Sequence, residues 1–134
     1  MLVESEIVIR LVVAAVLGAL IGLERQLDNI SAGFRTHMLI CLGATLFTIM
    51  SFEFVGTTDP SRIAAGLVTG IGFLGAGAIF KDEHIVKGLT TAADLWVVAA
   101  IGLAIGIGQF FAAIVATVIV VLILVLKKIS GGKA

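Results

Sequence analysis

Charge is what this sequence has least of. Only 13% of its 134 residues are Asp, Glu, Lys or Arg, about half the share of an ordinary soluble domain, while 60% are hydrophobic. A chain this small leaves much of its fold at the surface and has too few polar residues to cover that surface in water. A hydrocarbon surrounding removes the difficulty. The nine basic and nine acidic residues cancel, which argues against a nucleic-acid binder, since such a protein needs a basic face. A single cysteine, Cys41, excludes an internal disulfide and a thiolate metal cluster. The two histidines, His37 and His84, sit on separate segments without metal-site spacing. No Ser–His–Asp arrangement or intramembrane-protease motif is present, so a non-enzymatic role is expected. Basic residues are also missing ahead of the first apolar run, where MLVESEIVIR carries Glu4 and Glu6. A cleavable signal peptide needs them there, so this segment reads as a retained span.

What the sequence does have is apolar runs. Five stand out, at 7–23, 38–55, 63–80, 89–107 and 110–126, each of about 17–19 residues and at the short end of what crosses a bilayer. The polar breaks between them are ERQLDNISAGFRTH, GTTDPSR, KDEHIVKG and GQ. The last is weak. Yet one helix over 89–126 would be about 57 Å long, far more than a bilayer is thick, so the chain must turn near Gly106–Gln109. The expected fold is all-α: a single transmembrane domain over 1–134, a bundle of five short Gly- and Ala-rich helices. Arg25, Arg35, Lys81, Lys87, Lys127, Lys128 and Lys133 fall on one side of such a bundle, against Arg10 and Arg62 on the other. The positive-inside rule then places the N-terminus outside and the C-terminus in the cytoplasm.

Within the third run, Gly70-Ile71-Gly72-Phe73-Leu74-Gly75 spells G-x-G-x-x-G, with Asp94 nineteen positions on. A dinucleotide fingerprint needs a strand before it and a helix opening at it. Here DPSR already reads as a helix start, with Asp59 as N-cap and Pro60 in the first helical position, so these glycines fall mid-helix. Small residues recur at four-residue spacing in Ala14, Gly18 and Gly22, in Gly66 and Gly70, and in Gly102 and Gly106. These, together with Gly72, Gly75 and Gly77, are expected to let helices pack closely in lipid.

Ionisable groups inside a membrane are expensive and call for a reason. Asp94 lies about five residues, or ~7–8 Å, inside the fourth span. Thr91-x-x-Asp94 resembles a capping box, which would make Asp94 a structural residue of the first helical turn. Alternatively it pairs with Arg25 or Arg35, which flank the same depth, or it exchanges a proton or cation. The first cytoplasmic loop holds Glu24, Arg25, Asp28, Arg35, Thr36 and His37; Asp28 reads as solvated, and Arg35 and His37 sit at the mouth of the second helix. His37, Cys41 and Thr45 follow at i, i+4 and i+8, and Thr48 and Ser51 extend a polar stripe. It either lines a path or, more commonly, bonds back to helix carbonyls. On the outer side Glu4, Glu6, Glu53 and Asp59 surround Arg10 and Arg62. Glu53 is the expected partner of Arg10, and an acidic rim is compatible with holding hydrated magnesium.

At these residues the chain resembles the membrane domain of the MgtC/SapB family. The blocks GALIGLERQ, AGFRTHMLICLGATLFTIMS, DPSRIAAGLVTGIGFLGAGAIF and VKGLTTAADLWVVAAIGLAIG carry the resemblance in order and spacing over about residues 9–108. It implies a multi-pass bacterial inner-membrane protein of magnesium homeostasis or adaptation to low magnesium. Such a protein would regulate other membrane complexes, the proton-translocating ATP synthase being one, or would transport Mg2+ or another cation. It implies importance for Glu24, Arg25, Arg35, Thr36, Asp59, Arg62 and Thr91 and for Gly70, Gly72, Gly75 and Gly77. The family's intramembrane acid falls at Asp94, the one metal candidate, and Mg2+ is the one cofactor considered. Long members add a cytoplasmic domain after the fifth span. This chain stops at KKISGGKA, so a short member or a membrane-domain piece is expected. The expected partners are the lipid bilayer and a second copy in a homodimer.

Overall fold

A computed structural model describes residues 2–53, 59 and 61–129, with the backbone alone for 127–129. Among the described residues five helices run in order: α1 (Glu4–Leu27), α2 (Phe34–Glu53), α3 (Ser61–Gly77), α4 (Leu89–Gly106) and α5 (Phe110–Ile129). The fold is an all-α bundle. Helices α1, α2 and α4 are long and apolar enough to cross a membrane; α3 and the Phe110–Leu126 part of α5 are shorter apolar helices. Large side chains face outward all around, with Phe73 82% and Phe111 81% exposed, which suits lipid and not water. The end of the expected second span, Pro60 and Lys133 lie outside the described residues, as do the side chains of Lys127 and Lys128.

The G-x-G-x-x-G stretch lies inside α3, with no strand before it. α3 starts where Asp59 accepts the Ser61 backbone N–H at 3.0 Å and the Ser61 hydroxyl at 2.7 Å. Those bonds, with Arg62 nearby, hold the Asp59 carboxyl below the usual carboxylate range. The cap is therefore intact at neutral pH and is lost only as pH falls through that lowered value. The turn demanded between the fourth and fifth spans falls at Ile107–Gln109. There the Gly108 and Gln109 N–H groups donate back to Ile105 and Ala104, and Gly108 takes φ +85°, a Schellman ending. α1 ends the same way, with Asn29 at φ 58° and Ile30 N–H donating to Arg25.

Two boundaries differ from the sequence reading. α1 runs on past Leu23 through Glu24 and Arg25, because both side chains are buried against other helices rather than solvated. The KDEHIVKG break is no plain loop: β1 (Phe80–Lys81) pairs antiparallel with β2 (Val86–Lys87), Phe80 opposite Lys87. α3 accordingly ends at Gly77, ahead of Ile79 and Phe80.

α2 is the centre of the packing, held between α1 and α4. A Cβ on Gly18 or Gly22 of α1 would lie 2.7 Å from the backbone of His37 or Phe34. On the other side, a Cβ on Gly102 of α4 would lie 2.4 Å from the Cys41 carbonyl oxygen, and one on Gly106 at 2.4 Å from Thr48. Cys41 is sealed between these faces as a small packing residue. α5 packs on α1 and α4, and its Ala113 and Leu124 join Ala14, Ile21, Val98 and Ile105 in the core.

α3 corrects the glycine reading. Only Ile71 and Gly75 of it are buried, and a Cβ added at Gly66, Gly70, Gly72 or Gly77 would meet nothing within 4 Å. These four do not pack helices within this chain, because α3 leans on α4 and stands off α2. The gap is an apolar groove of about 650 Å³, with Leu39, Gly43 and Phe47 on one wall and Ile63, Gly66 and Gly70 on the other.

The contrast can be measured. Gly102→Ala drives a methyl into a backbone carbonyl and is expected to destabilise by about 1–3 kcal/mol, seen as a lower unfolding temperature in detergent. Gly70→Ala is expected to be neutral or stabilising by up to ~1 kcal/mol, through helix propensity alone.

Candidate functional site

The α1–α2 and α3–α4 connections lie at the same end of the bundle, and beneath them four ionisable side chains are buried together. α1 contributes Glu24 and Arg25 in its last turns, α2 contributes His37 in its first turn, and α4 contributes Asp94. Gly22 opposite His37 is what lets α2 come close enough for them to meet.

Asp94 is the hub. Its Oδ2 lies 3.4 Å from Arg25 Nε and its Oδ1 lies 3.4 Å from His37 Nε2. Arg25 Nη1 lies 3.8 Å from Glu24 Oε2. The other nitrogen of His37, Nδ1, is 2.9 Å from the Gly33 carbonyl oxygen at the helix start. Exposure falls to 7% for Glu24, 3% for Asp94, 2% for Arg25 and 0% for His37. At such burial an ion pair's attraction is strong, but so is the penalty for any charge left uncompensated. The Arg25–Asp94 contact is an ion pair rather than a tight hydrogen bond, since Arg25 Nε and Asp94 Oδ2 form no hydrogen bond within the described residues.

Of the two arginines that the sequence places at this depth, the structure brings Arg25 to Asp94 and leaves Arg35 exposed. The capping-box reading of Thr91 and Asp94 does not hold. α4 starts earlier, with Gly88 as N-cap at φ 87°, so both residues lie inside the helix and no side chain caps it. Thr91 is buried beside the cluster's helix face. Thr36 lines a smaller apolar recess with Phe73, Leu74 and Leu95. Gly88 is a residue the sequence reading did not single out: a Cβ there would lie 1.9 Å from the Ala78 carbonyl oxygen. Its position just before the Thr-rich start of α4 was the available signal.

The polar stripe of α2 is occupied by its own helices. The Thr45 hydroxyl is shared between the carbonyl oxygens of Cys41 and Gly102, at 2.9 and 2.8 Å, and Thr48 donates to Ala44 at 2.7 Å. At the opposite end Arg10 corrects another expectation. Its guanidinium donates to Glu6 on the preceding turn of α1 and to the Gly106 carbonyl oxygen at the end of α4. The partial negative charge of an unsatisfied helix C-terminus also attracts a cation. Glu53 instead accepts the Leu2 backbone N–H at 3.2 Å, and Glu4 and Arg62 are exposed. Glu6, Glu53 and Asp59 are thus each engaged separately. Among the described residues no three His, Cys, Asp or Glu side chains come together as metal ligands. Asp94 faces the Arg25 guanidinium, whose positive charge opposes a metal cation there.

A search against family models matches residues 11–131 to the MgtC family. The chain belongs to the MgtC family. It is 47% identical over 129 residues to the "Putative magnesium transporter YhiD" of Escherichia coli K12, covering 90% of this chain and 60% of that protein. It is 49% identical over 108 residues to "Protein MgtC" of Brucella abortus, covering 81% of this chain and 45% of that one. For "Protein MgtC" of Salmonella typhimurium LT2 the figures are 48% over 113 residues, 84% and 48%. The chain therefore spans about half the length of these relatives. No solved structure matches it.

If Asp94 and Arg25 act as a pair, Asp94→Asn and Arg25→Ala each lower thermal stability in detergent. The double variant is then expected to lose less than their sum, with a coupling on the order of 0.5–3 kcal/mol. Arg35→Ala serves as the exposed control, and strict additivity of the first two would remove the pairing.

Proposed function

We propose that this magnesium-linked membrane protein works as a regulator, acting through its lipid-facing helix surfaces on another membrane complex rather than conducting an ion. The observation that carries this reading is the occupancy of Asp94. Asp94, deep in the bundle, is taken by Arg25 and His37, and the Thr45 and Thr48 hydroxyls that would otherwise line a path bond to helix carbonyls. Cation conduction needs oxygen ligands free to replace water. Exposed glycines in an open apolar groove on α3 instead supply a surface on which a second copy or another complex's helix can lie closely in lipid. On this reading the protein sits in a bacterial inner membrane with its C-terminus in the cytoplasm. A homodimer is its own assembly, and the proton-translocating ATP synthase is the leading candidate target.

The second reading is magnesium transport, which the name of the Escherichia coli relative YhiD favours. Reconstitution into liposomes separates the two. Under an imposed gradient the purified protein is expected to pass no more Mg2+ or protons than empty vesicles do. Flux that disappears in Asp94→Ala would overturn the regulator.

A further inference from the structure

The groove between α2 and α3 opens to the outside of the bundle, and its two rims end in charged side chains. Leu39 of α2 lines the groove and is 69% exposed. Arg35 and Glu53 fall within about 40° of Leu39 around the helix, one in the first turn of α2 and the other at its last residue. On α3, Arg62 falls within about 40° of Gly66, which lines the other wall. All three charged side chains are exposed. Glu53 and Arg62 lie at the same end of the bundle, since α2 finishes there and α3 begins there. Arg35 lies at the opposite end, where α3 leads into the hairpin segment with Lys81, Asp82 and Glu83 exposed.

Among the described residues no ion pair includes Arg35, Glu53 or Arg62. Glu53 accepts the Leu2 backbone N–H, a neutral donor. Asp59 lies near Arg62 but is held by Ser61 at the start of α3.

Two copies inserted the same way in a bilayer are related by an axis along its normal, and the commonest such assembly is an isologous two-fold dimer. That axis keeps every residue at its own depth, so depth decides which charges can meet. Setting α2 on the α2 of a second copy puts Arg35 beside Arg35 and Glu53 beside Glu53. Setting α3 on α3 alone puts Arg62 beside Arg62. Setting α2 against the second copy's α3 brings Glu53 to Arg62 at one end and Arg35 to the acids of the hairpin at the other. Charge complementarity selects this crossed arrangement, because like charges brought face to face oppose association.

We propose that the groove seats the α3 helix of a second copy, in a two-fold dimer where each copy's α3 lies in the other's groove and each Glu53 pairs with the other copy's Arg62. Gly43 on the α2 wall and Gly66 and Gly70 on the α3 wall line the groove with nothing within 4 Å of a Cβ placed on them, so a helix backbone can come close there. The inference rests on the reading of this groove as a helix-docking surface and adds the occupant.

Charge reversal tests it. Dimerisation is read in phosphatidylethanolamine–phosphatidylglycerol vesicles as energy transfer between full-length copies tagged with a donor or an acceptor. Glu53→Arg and Arg62→Glu are each expected to weaken dimerisation about tenfold, since each turns both pairs into like-charge contacts. Mixing the two variants restores both pairs with their signs exchanged, so the mixture is expected to dimerise as well as the unaltered chain. Only a contact between copies gives that recovery; a structural defect in either variant does not. Loss without recovery on mixing overturns the proposal. So does a dimer indifferent to both reversals, which forms through another face, and so does a monomer, which leaves the groove to lipid or to a helix of another complex. None of these outcomes bears on conduction, which the flux measurement decides separately.

Discussion

The rest of this structure depends on α2 lying against its two neighbours with almost no side chain in between. Gly18 and Gly22 on one flank and Gly102 and Gly106 on the other leave room for the backbone of Phe34, His37 and Cys41 and for Thr48. Between helices in lipid there is no hydrophobic drive to association, so close contact and hydrogen bonding must supply the attraction. At that range the Thr45 hydroxyl can reach a carbonyl of α4 as well as its own. The same approach sets the positions of the charges. His37 is in the row that packs against Gly22, and Asp94 lies two turns before Gly102 on α4, so closing the helices brings imidazole, carboxylate and guanidinium together.

The two ends of the bundle solve the problem of buried charge differently. At one end Arg10 uses the α4 C-terminus, where helix carbonyls carry partial negative charge, and adds Glu6 from its own helix. At the other, Arg25 stands at the C-terminal end of α1 and Asp94 in the N-terminal half of α4, each where the helix dipole favours it. His37 is the exception, a potential cation in the first turn of α2, where the dipole opposes it. Its contacts with the Gly33 carbonyl and the Asp94 carboxylate are what make that position tenable.

Much of this was legible in the residues. The apolar runs located all five helices, the 38-residue length of the last two runs required the turn that Gly108 makes, and Asp59 marked the start of α3. Asp94 was narrowed to a choice that included its observed partner. What was hidden depended on which way a helix face points. Gly66 and Gly70 have the same spacing as Gly102 and Gly106, yet only the latter pair meets a backbone, and nothing in the spacing distinguishes them. Arg10 was matched to the acid nearest in charge logic, because a carbonyl at a helix end leaves no mark in the sequence. Thr91-x-x-Asp94 looked like a cap because the real one, a left-handed Gly88, has no side chain to announce it.

These features bear together on how such a protein can act. A conduit must offer polar groups whose partners are exchangeable, whereas here Asp94 faces Arg25 and His37 across three helices and the Thr45 and Thr48 hydroxyls bond to helix carbonyls. The loosest packing is on the outside: the bare glycine face of α3 and the groove it forms with α2. Lipid chains fill such a groove poorly compared with a packed helix, because they cannot hold a fixed shape against a glycine surface. The charge cluster includes His37 of α2, and α2 also forms one wall of the groove. The cluster and the outer face therefore meet on a single helix, so the packing that sets the position of the charges also sets the shape of the groove.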